Sequence, residues 1–133
     1  MTTADYAARV YDYYRDYLAL QGYAPMYSEV CSALHISQRP YYAALRWLVE
    51  RRFLAHQARR WRGVRLNVRV CTCGAEITPQ NAVVYRGWNG TFYVRRRCRT
   101  CFNAQSAARK QAWRAANAGY DARWMRQHRS ATA

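Results

Sequence analysis

Two pairs of cysteines constrain the second half of this chain more than any other feature of its sequence. Cys71 and Cys73 form a C-x-C pair, and Cys98 and Cys101 form a C-x2-C pair. Two such pairs can surround one ion tetrahedrally, and a closed shell of four thiolates leaves no open position for a substrate. The spacing therefore predicts one structural Zn²⁺ ion. A disulfide pair or uncoordinated thiols are the alternatives.

The expected cellular compartment also favours metal binding by these cysteines. No apolar run approaches the length of a bilayer span, and the amino terminus lacks a basic segment followed by an apolar one. We therefore expect a cytoplasmic protein that neither spans nor binds a membrane. Cysteines in a reducing compartment indicate metal binding before disulfides.

Between the cysteine pairs, residues 83–85 and 91–94 have the composition of strands. Asn89-Gly90 is a strong hairpin signal, because both residue types tolerate positive φ. After the second pair, residues 102–117 are rich in alanine and predict a helix, and residues 120–128 predict a second, shorter one.

The first half predicts three helices, over residues 3–20, 27–34 and 37–50, from the recurrence of apolar residues at helical spacing. Ser37 is a good N-cap for the third, and Pro40 lies in its first turn, where a missing N–H costs nothing. Short strands at residues 53–54 and 64–66 follow, joined by a basic turn. The chain is therefore expected to be α+β: a winged helix-turn-helix domain over residues 1–68, then a four-cysteine zinc ribbon with C-terminal helices over residues 69–133.

The first half, about residues 4–66, resembles the DNA-binding domain of LexA-type repressors and related winged-helix regulators. The matched positions are Pro25, Glu29, Leu34, Leu45, Leu48 and Gly63. Met26 departs from the family where a Ser or Thr usually caps the second helix, and Arg52 stands where glycine often ends the third. The resemblance implies a recognition helix at residues 37–50 and a wing tip at 58–63. The second half is similar to small zinc-ribbon modules with a basic tail helix in phage and bacterial proteins.

Candidate DNA-binding residues follow from this arrangement. Side chains in the N-terminal half of a recognition helix enter the major groove, and here these are Gln38, Arg39, Tyr42, Ala43 and Arg46. A surface helix with solvated arginines is the alternative. The predicted wing has four arginines and no acidic residue nearby in the sequence, so it is expected to bind phosphate: Arg59, Arg60, Trp61, Arg62 and Arg65.

Further basic residues of the second half are predicted to contact the DNA backbone. They are Arg95, Arg96, Arg97 and Arg99 around the second cysteine pair, and Arg109, Lys110 and Arg114 in the tail. Trp88, near the hairpin turn, either stacks on a sugar or base or packs against the ribbon.

Charge favours a polyanionic partner. Residues 1–50 contain four basic and five acidic residues, whereas residues 51–133 contain 18 basic residues against only Glu76 and Asp121. A positive field of this size suits nucleic acid. All but one of the basic residues are arginine, which binds phosphate and guanine in a bidentate manner, although genomic base composition is an equal explanation.

These features predict a non-enzymatic, double-stranded-DNA-binding protein: a transcriptional regulator, with a compact pairing of modules that suggests a phage or mobile element. The three histidines are scattered, the acidic residues are too dispersed for a two-metal site, and no nucleotide-binding or hydrolase motif occurs. No small-molecule substrate is expected. Two alternatives remain, an interaction protein that docks on a host machine such as RNA polymerase, and an RNA-binding protein.

Overall fold

The structure is a computed structural model that describes residues 1–57 and 62–132 of the chain. The described residues form five helices and two small antiparallel sheets, so the predicted α+β class is confirmed. They fall into two compact units, Met1–Arg99 and Thr100–Ala133. The predicted domain boundary between residues 68 and 69 lies inside the first unit. Among the described residues, no helix is long and apolar enough to cross a membrane.

Each predicted helix and strand is present, with bounds that differ by a few residues. The order is α1 (Thr3–Gln21), α2 (Tyr27–Leu34), α3 (Gln38–Glu50), β1 (Leu54–His56), β2 (Val64–Leu66), β3 (Ala82–Trp88), β4 (Phe92–Cys98), α4 (Arg99–Ala116) and α5 (Tyr120–Thr132). Strand β1 pairs with β2, and β3 pairs with β4. Strands β3 and β4 are longer than expected, and only Gly90 of the Asn-Gly turn has positive φ, at 93°.

Local side chains explain where α1 and α2 begin. Thr2 caps α1: its side chain accepts a hydrogen bond from Asp5 N, and the Asp5 carboxylate accepts one from Thr2 N at 2.7 Å. Met26 cannot cap α2 in this way. Glu29 compensates, because its Oε2 atom accepts a hydrogen bond from Met26 N at 2.8 Å.

The core of the first unit lies between α1 and α3. Residues Tyr41, Ala44, Leu45 and Leu48 of α3 are buried, as the helical spacing predicted. The hydroxyls of Tyr14 and Tyr41 lie 2.6 Å apart and join the two helices by a buried hydrogen bond. Burial raises the pKa of Tyr14, so this hydroxyl stays protonated. The buried Tyr11 hydroxyl, in contrast, has no hydrogen-bond partner among the described residues.

Helix α3 ends in a left-handed turn at a residue that is not glycine. Arg52 has φ of 63°. The Arg52 N–H donates to Val49 O at 3.1 Å, and the Phe53 N–H donates to Leu48 O at 2.9 Å. This is the hydrogen-bond pattern of a Schellman motif, in which glycine is preferred. The chain then turns directly into β1.

We expect Arg52→Gly to raise the free energy of unfolding by about 1 kcal/mol, because glycine removes the steric cost of the left-handed conformation. Chemical denaturation monitored by circular dichroism measures this change. Arg52→Ala is the matched control, since alanine removes the same side chain but keeps the strain. Equal effects of the two substitutions would mean that the arginine side chain, and not the backbone, determines stability here.

Candidate metal centre and nucleic-acid interface

The four paired cysteines converge on one point. One ligand atom from each of Cys71, Cys73, Cys98 and Cys101 lies within 4.8 Å of every other. Cys98 ends β4, and Cys101 lies in the first turn of α4. The other two lie in a tight turn, in which Gly74 N donates to Cys71 O at 2.9 Å and Cys71 N donates to Ala75 O at 2.8 Å. The structure thus brings together all four predicted ligands.

The geometry of this cluster fits a tetrahedral ion. Metal–sulfur bonds of about 2.3 Å at tetrahedral angles place sulfur atoms roughly 3.8 Å apart. The Sγ atoms of Cys73 and Cys98 are separated by 3.9 Å, well beyond the roughly 2.05 Å of a disulfide bond. The cluster can therefore hold one metal ion with these four cysteines as its ligands.

The predicted DNA-reading residues share one exposed face of α3. Gln38, Arg39, Tyr42, Ala43 and Arg46 are all exposed. Together with Ser37 they line one surface hollow of about 660 Å³. Ser37 occupies the N-cap position, although its side chain makes no capping hydrogen bond. The opposite face of the helix is buried against α1, so these side chains point away from the core.

One further aromatic residue lies beside this face. The Tyr27 ring, at the start of α2, is 6.1 Å from the ring of Tyr42, and both residues are exposed. Sequence reasoning missed Tyr27. Its position at the first residue of the second helix was the available signal, because that end of α2 approaches the N-terminal half of α3.

The predicted wing is only partly described. Arg59, Arg60 and Trp61 lie outside the described residues, and Arg65 is exposed on β2. Arg62 differs from expectation, because it has an acidic partner distant in sequence. Its two terminal nitrogens donate to the Glu29 carboxylate at 3.2 Å each, and Nη1 also donates to Ala24 O at 2.7 Å. Arg62 therefore has a carboxylate partner in the fold, although no acidic residue lies near it in the sequence.

Arg62 stabilises the junction between the β1–β2 hairpin and α2. Its guanidinium lies 4.6 Å from the centre of the Tyr23 ring, and its side chain is only 21% exposed. The hydrogen bond from Arg62 lowers the pKa of Glu29, so the pair remains ionised at neutral pH. Arg62 therefore fixes the β1–β2 hairpin against α2, and Arg65 is the better phosphate candidate.

The predicted backbone-binding arginines of β4 and of the start of α4 do not share one environment. Arg95 and Arg99 are exposed and Arg97 is half-buried. Arg96 is only 9% exposed. Its Nη1 atom donates to Asn67 O at 3.0 Å, and its guanidinium lies 5.0 Å from the centre of the Phe53 ring. Burial lowers the pKa of Arg96, which reflects the desolvation of its charge.

Arg96 therefore attaches the β3–β4 hairpin to the helical part of the first unit. Phe53, on which it packs, is stacked on Trp47 of α3 with ring centres 6.0 Å apart. A second contact joins the same parts, because Gln80 donates to Asp12 of α1 at 2.8 Å. Arg96 is committed to this packing, whereas the predicted tail residues Arg109, Lys110 and Arg114 are exposed on α4.

Comparison with known proteins adds no functional assignment. The chain matches no protein-family model, no curated protein and no solved structure. Its function is therefore inferred from the four-cysteine cluster, the exposed face of α3 and the distribution of charge.

Proposed function

We propose that this protein binds double-stranded DNA and reads its sequence with α3, as a small transcriptional regulator of phage or mobile-element type. The observation that carries the proposal is the exposed face of α3, on which Arg39, Tyr42 and Arg46 lie side by side and all three are exposed. A helix presenting such side chains suits the major groove, where arginine bonds to guanine O6 and N7.

The elements around α3 support a winged helix-turn-helix. Helices α1 and α2 precede it, and the β1–β2 hairpin follows it directly, with Leu54 paired to Leu66. In this arrangement the wing approaches the DNA backbone beside the recognition helix. Arg65 is exposed on that hairpin, and the Arg62–Glu29 pair holds the hairpin against α2. Both features suit a phosphate-contacting wing of fixed orientation.

We infer that the ion held by the four cysteines is Zn²⁺. Thiolate ligands select soft or borderline ions, and four of them in tetrahedral reach are typical of structural zinc. The β3–β4 hairpin and its flanking turn bury few apolar side chains, chiefly Ile77, Ala82 and Cys98. A bound ion would supply the stability that so small a core lacks. The second module is on this interpretation a zinc ribbon.

The basic residues outside α3 would contact phosphates without reading sequence. If the protein contacts six or more phosphates, the logarithm of affinity falls steeply against the logarithm of salt concentration, by about 0.9 for each phosphate. Joint replacement of Arg109, Lys110 and Arg114 by glutamine should reduce this slope by roughly 2 to 3, because up to three fewer phosphates are neutralised and fewer counterions are released on binding. Salt titrations on a random duplex measure the slope.

The matched control is Arg15→Gln. Arg15 is also a surface arginine, but it lies on α1 and contacts Asp12 and Asp16 at 3.5 and 3.7 Å. We expect this substitution to leave the slope unchanged. If the triple variant also keeps the wild-type slope, the tail does not contact DNA and its charge serves another partner.

A second candidate function is docking on a host protein such as RNA polymerase. The observation that favours it is a set of exposed apolar side chains in the second unit, at Trp113, Tyr120, Trp124 and Met125. Such residues are common anchors of protein interfaces. Co-purification of one large partner that survives nuclease and high salt would support docking, whereas loss of every partner under those conditions would support DNA binding.

A further inference from the structure

The tip of the β3–β4 hairpin exposes two aromatic residues that the packing of the first unit does not use. Trp88 is 74% exposed, which makes it the most exposed of the described tryptophans, and Phe92 is 51% exposed. The two residues are directly paired across the strands, on either side of the turn at Gly90. Of the two interpretations of Trp88 from sequence, packing against the ribbon is therefore wrong.

Contacts within the hairpin and with the rest of the first unit hold the strands below the tip in place. The Tyr93 phenol lies across Gly87, where a side chain would leave no room for it. The Arg95 guanidinium lies 4.9 Å from the centre of the Tyr93 ring. On the other face of the sheet, buried Arg96 joins the hairpin to Phe53. Trp88 and Phe92 share the face of Arg96, because paired residues and alternate residues along a strand lie on one side.

The charge around the tip indicates which kind of partner the tip can bind. Strands β3 and β4 contain four arginines and no acidic residue. One of them, Arg86, is exposed and lies two residues before Trp88 on the same face, about 7 Å away along the strand. Arg51 follows α3 directly. Burial lowers the pKa of Arg51, and the positive charge of Arg86 nearby lowers it further. Aromatic rings can stack on bases and neighbouring arginines can bind phosphates, so the tip suits a partner that contains both.

A hollow beside Phe92 has room for such a group. It measures about 450 Å³ and lies between β4, β1 and the end of α3. Phe92, Val94, Val49 and Leu54 form its apolar part, and Arg52 and Asn67 form its polar part. Glu50 also lines the hollow, at 3.9 Å from Arg51. Volumes of this order accommodate small organic ligands.

We propose that the hairpin tip is a stacking site for an unpaired base of a nucleic-acid strand, with Trp88 and Phe92 as the platform and Arg86 at the adjoining phosphate. Base–aromatic stacking is tolerant of sequence, and it requires bases that are not already stacked in a duplex. The site uses none of the residues proposed to read DNA on α3, and it deepens the proposed nucleic-acid role: it provides a contact for melted or single-stranded DNA next to the duplex that α3 reads.

The test compares a fluorescently labelled single-stranded oligonucleotide of mixed sequence with the matching duplex, at one salt concentration. We expect Trp88→Ala to weaken single-strand binding by about five-fold or more, the lower end of what one stacked base supplies, and to leave duplex binding unchanged. Trp88→Phe should retain part of the affinity because it keeps a ring. Leu20→Ala, at an 81% exposed apolar residue of α1, is the control for loss of exposed apolar surface and should change neither affinity.

A second readout reports the contact itself. Binding of the single strand should quench tryptophan fluorescence in the wild-type protein, and Trp88→Phe should lose that quenching. The inference is overturned if the wild-type protein does not bind the single strand, if Trp88→Ala binds it with wild-type affinity, or if Trp88→Ala weakens duplex and single strand equally. These outcomes are independent of whether α3 selects a duplex sequence, so failure of this site and failure of the proposed function are distinguishable.

Discussion

We expect Cys73→Ser to abolish metal binding and to unfold the β3–β4 hairpin. Cys73 is exposed, so serine costs almost nothing in packing and the effect reports the loss of a ligand. Structural zinc contributes about 10–16 kcal/mol in small peptide domains, which is comparable with the whole stability of an ordinary domain. Elemental analysis of protein purified without chelator should find one zinc ion per wild-type chain, and none in the variant.

The matched control for this substitution is Cys31→Ser, which replaces a cysteine of α2 that is not part of the cluster. It should keep one zinc ion per chain. In Cys73→Ser we further expect α1–α3 to stay helical but to melt at a lower temperature, because Arg96 on β4 would no longer be held on Phe53. Wild-type protein that contains no metal and still forms the hairpin would contradict the proposed centre.

The second large effect concerns sequence reading by α3. Arg39→Ala and Arg46→Ala should each relax selectivity at one or two base pairs, because a bidentate contact from arginine to guanine contributes roughly 1–3 kcal/mol of discrimination. Both residues are exposed, so the variants should fold normally. The measurement is a titration of the preferred duplex and of a random duplex with each variant.

Arg65→Ala is the matched control, since it removes an exposed arginine from the wing and not from α3. Phosphates are the same at every base step, so this variant should weaken binding to preferred and random duplexes alike. Arg62 is unsuitable for the comparison because its loss also breaks the contact with Glu29. If Arg39→Ala and Arg46→Ala both keep full discrimination, α3 does not read the DNA.

Local signals were sufficient to predict the helices and the convergence of the four paired cysteines. The buried face of α3 follows the spacing of Tyr41, Ala44, Leu45 and Leu48. The cysteine pairs were recognisable because a hairpin between them brings distant positions together. In both cases, short-range spacing in the sequence determines which side chains share a face or a site.

Contacts between distant positions could not be predicted in this way. The pairs Arg62–Glu29 and Arg96–Phe53 join residues far apart in the chain, and their formation depends on how whole elements pack. Both arginines belong to runs that suggested a uniform basic surface, whereas packing removes much of Arg62 and most of Arg96 from solvent. The exposure of Trp88 had the same origin, because it depends on how far the hairpin extends beyond its support.

The most direct measurement of the central claim is selection of bound sequences from a random pool of duplex DNA by the zinc-loaded full-length protein. The proposed function predicts enrichment of one short motif. The same selection with Arg39→Ala should recover that motif with one or two positions degenerate, because the contact that reads them is lost. A pool that stays random after repeated rounds, although the protein binds duplex DNA, would contradict sequence reading by α3.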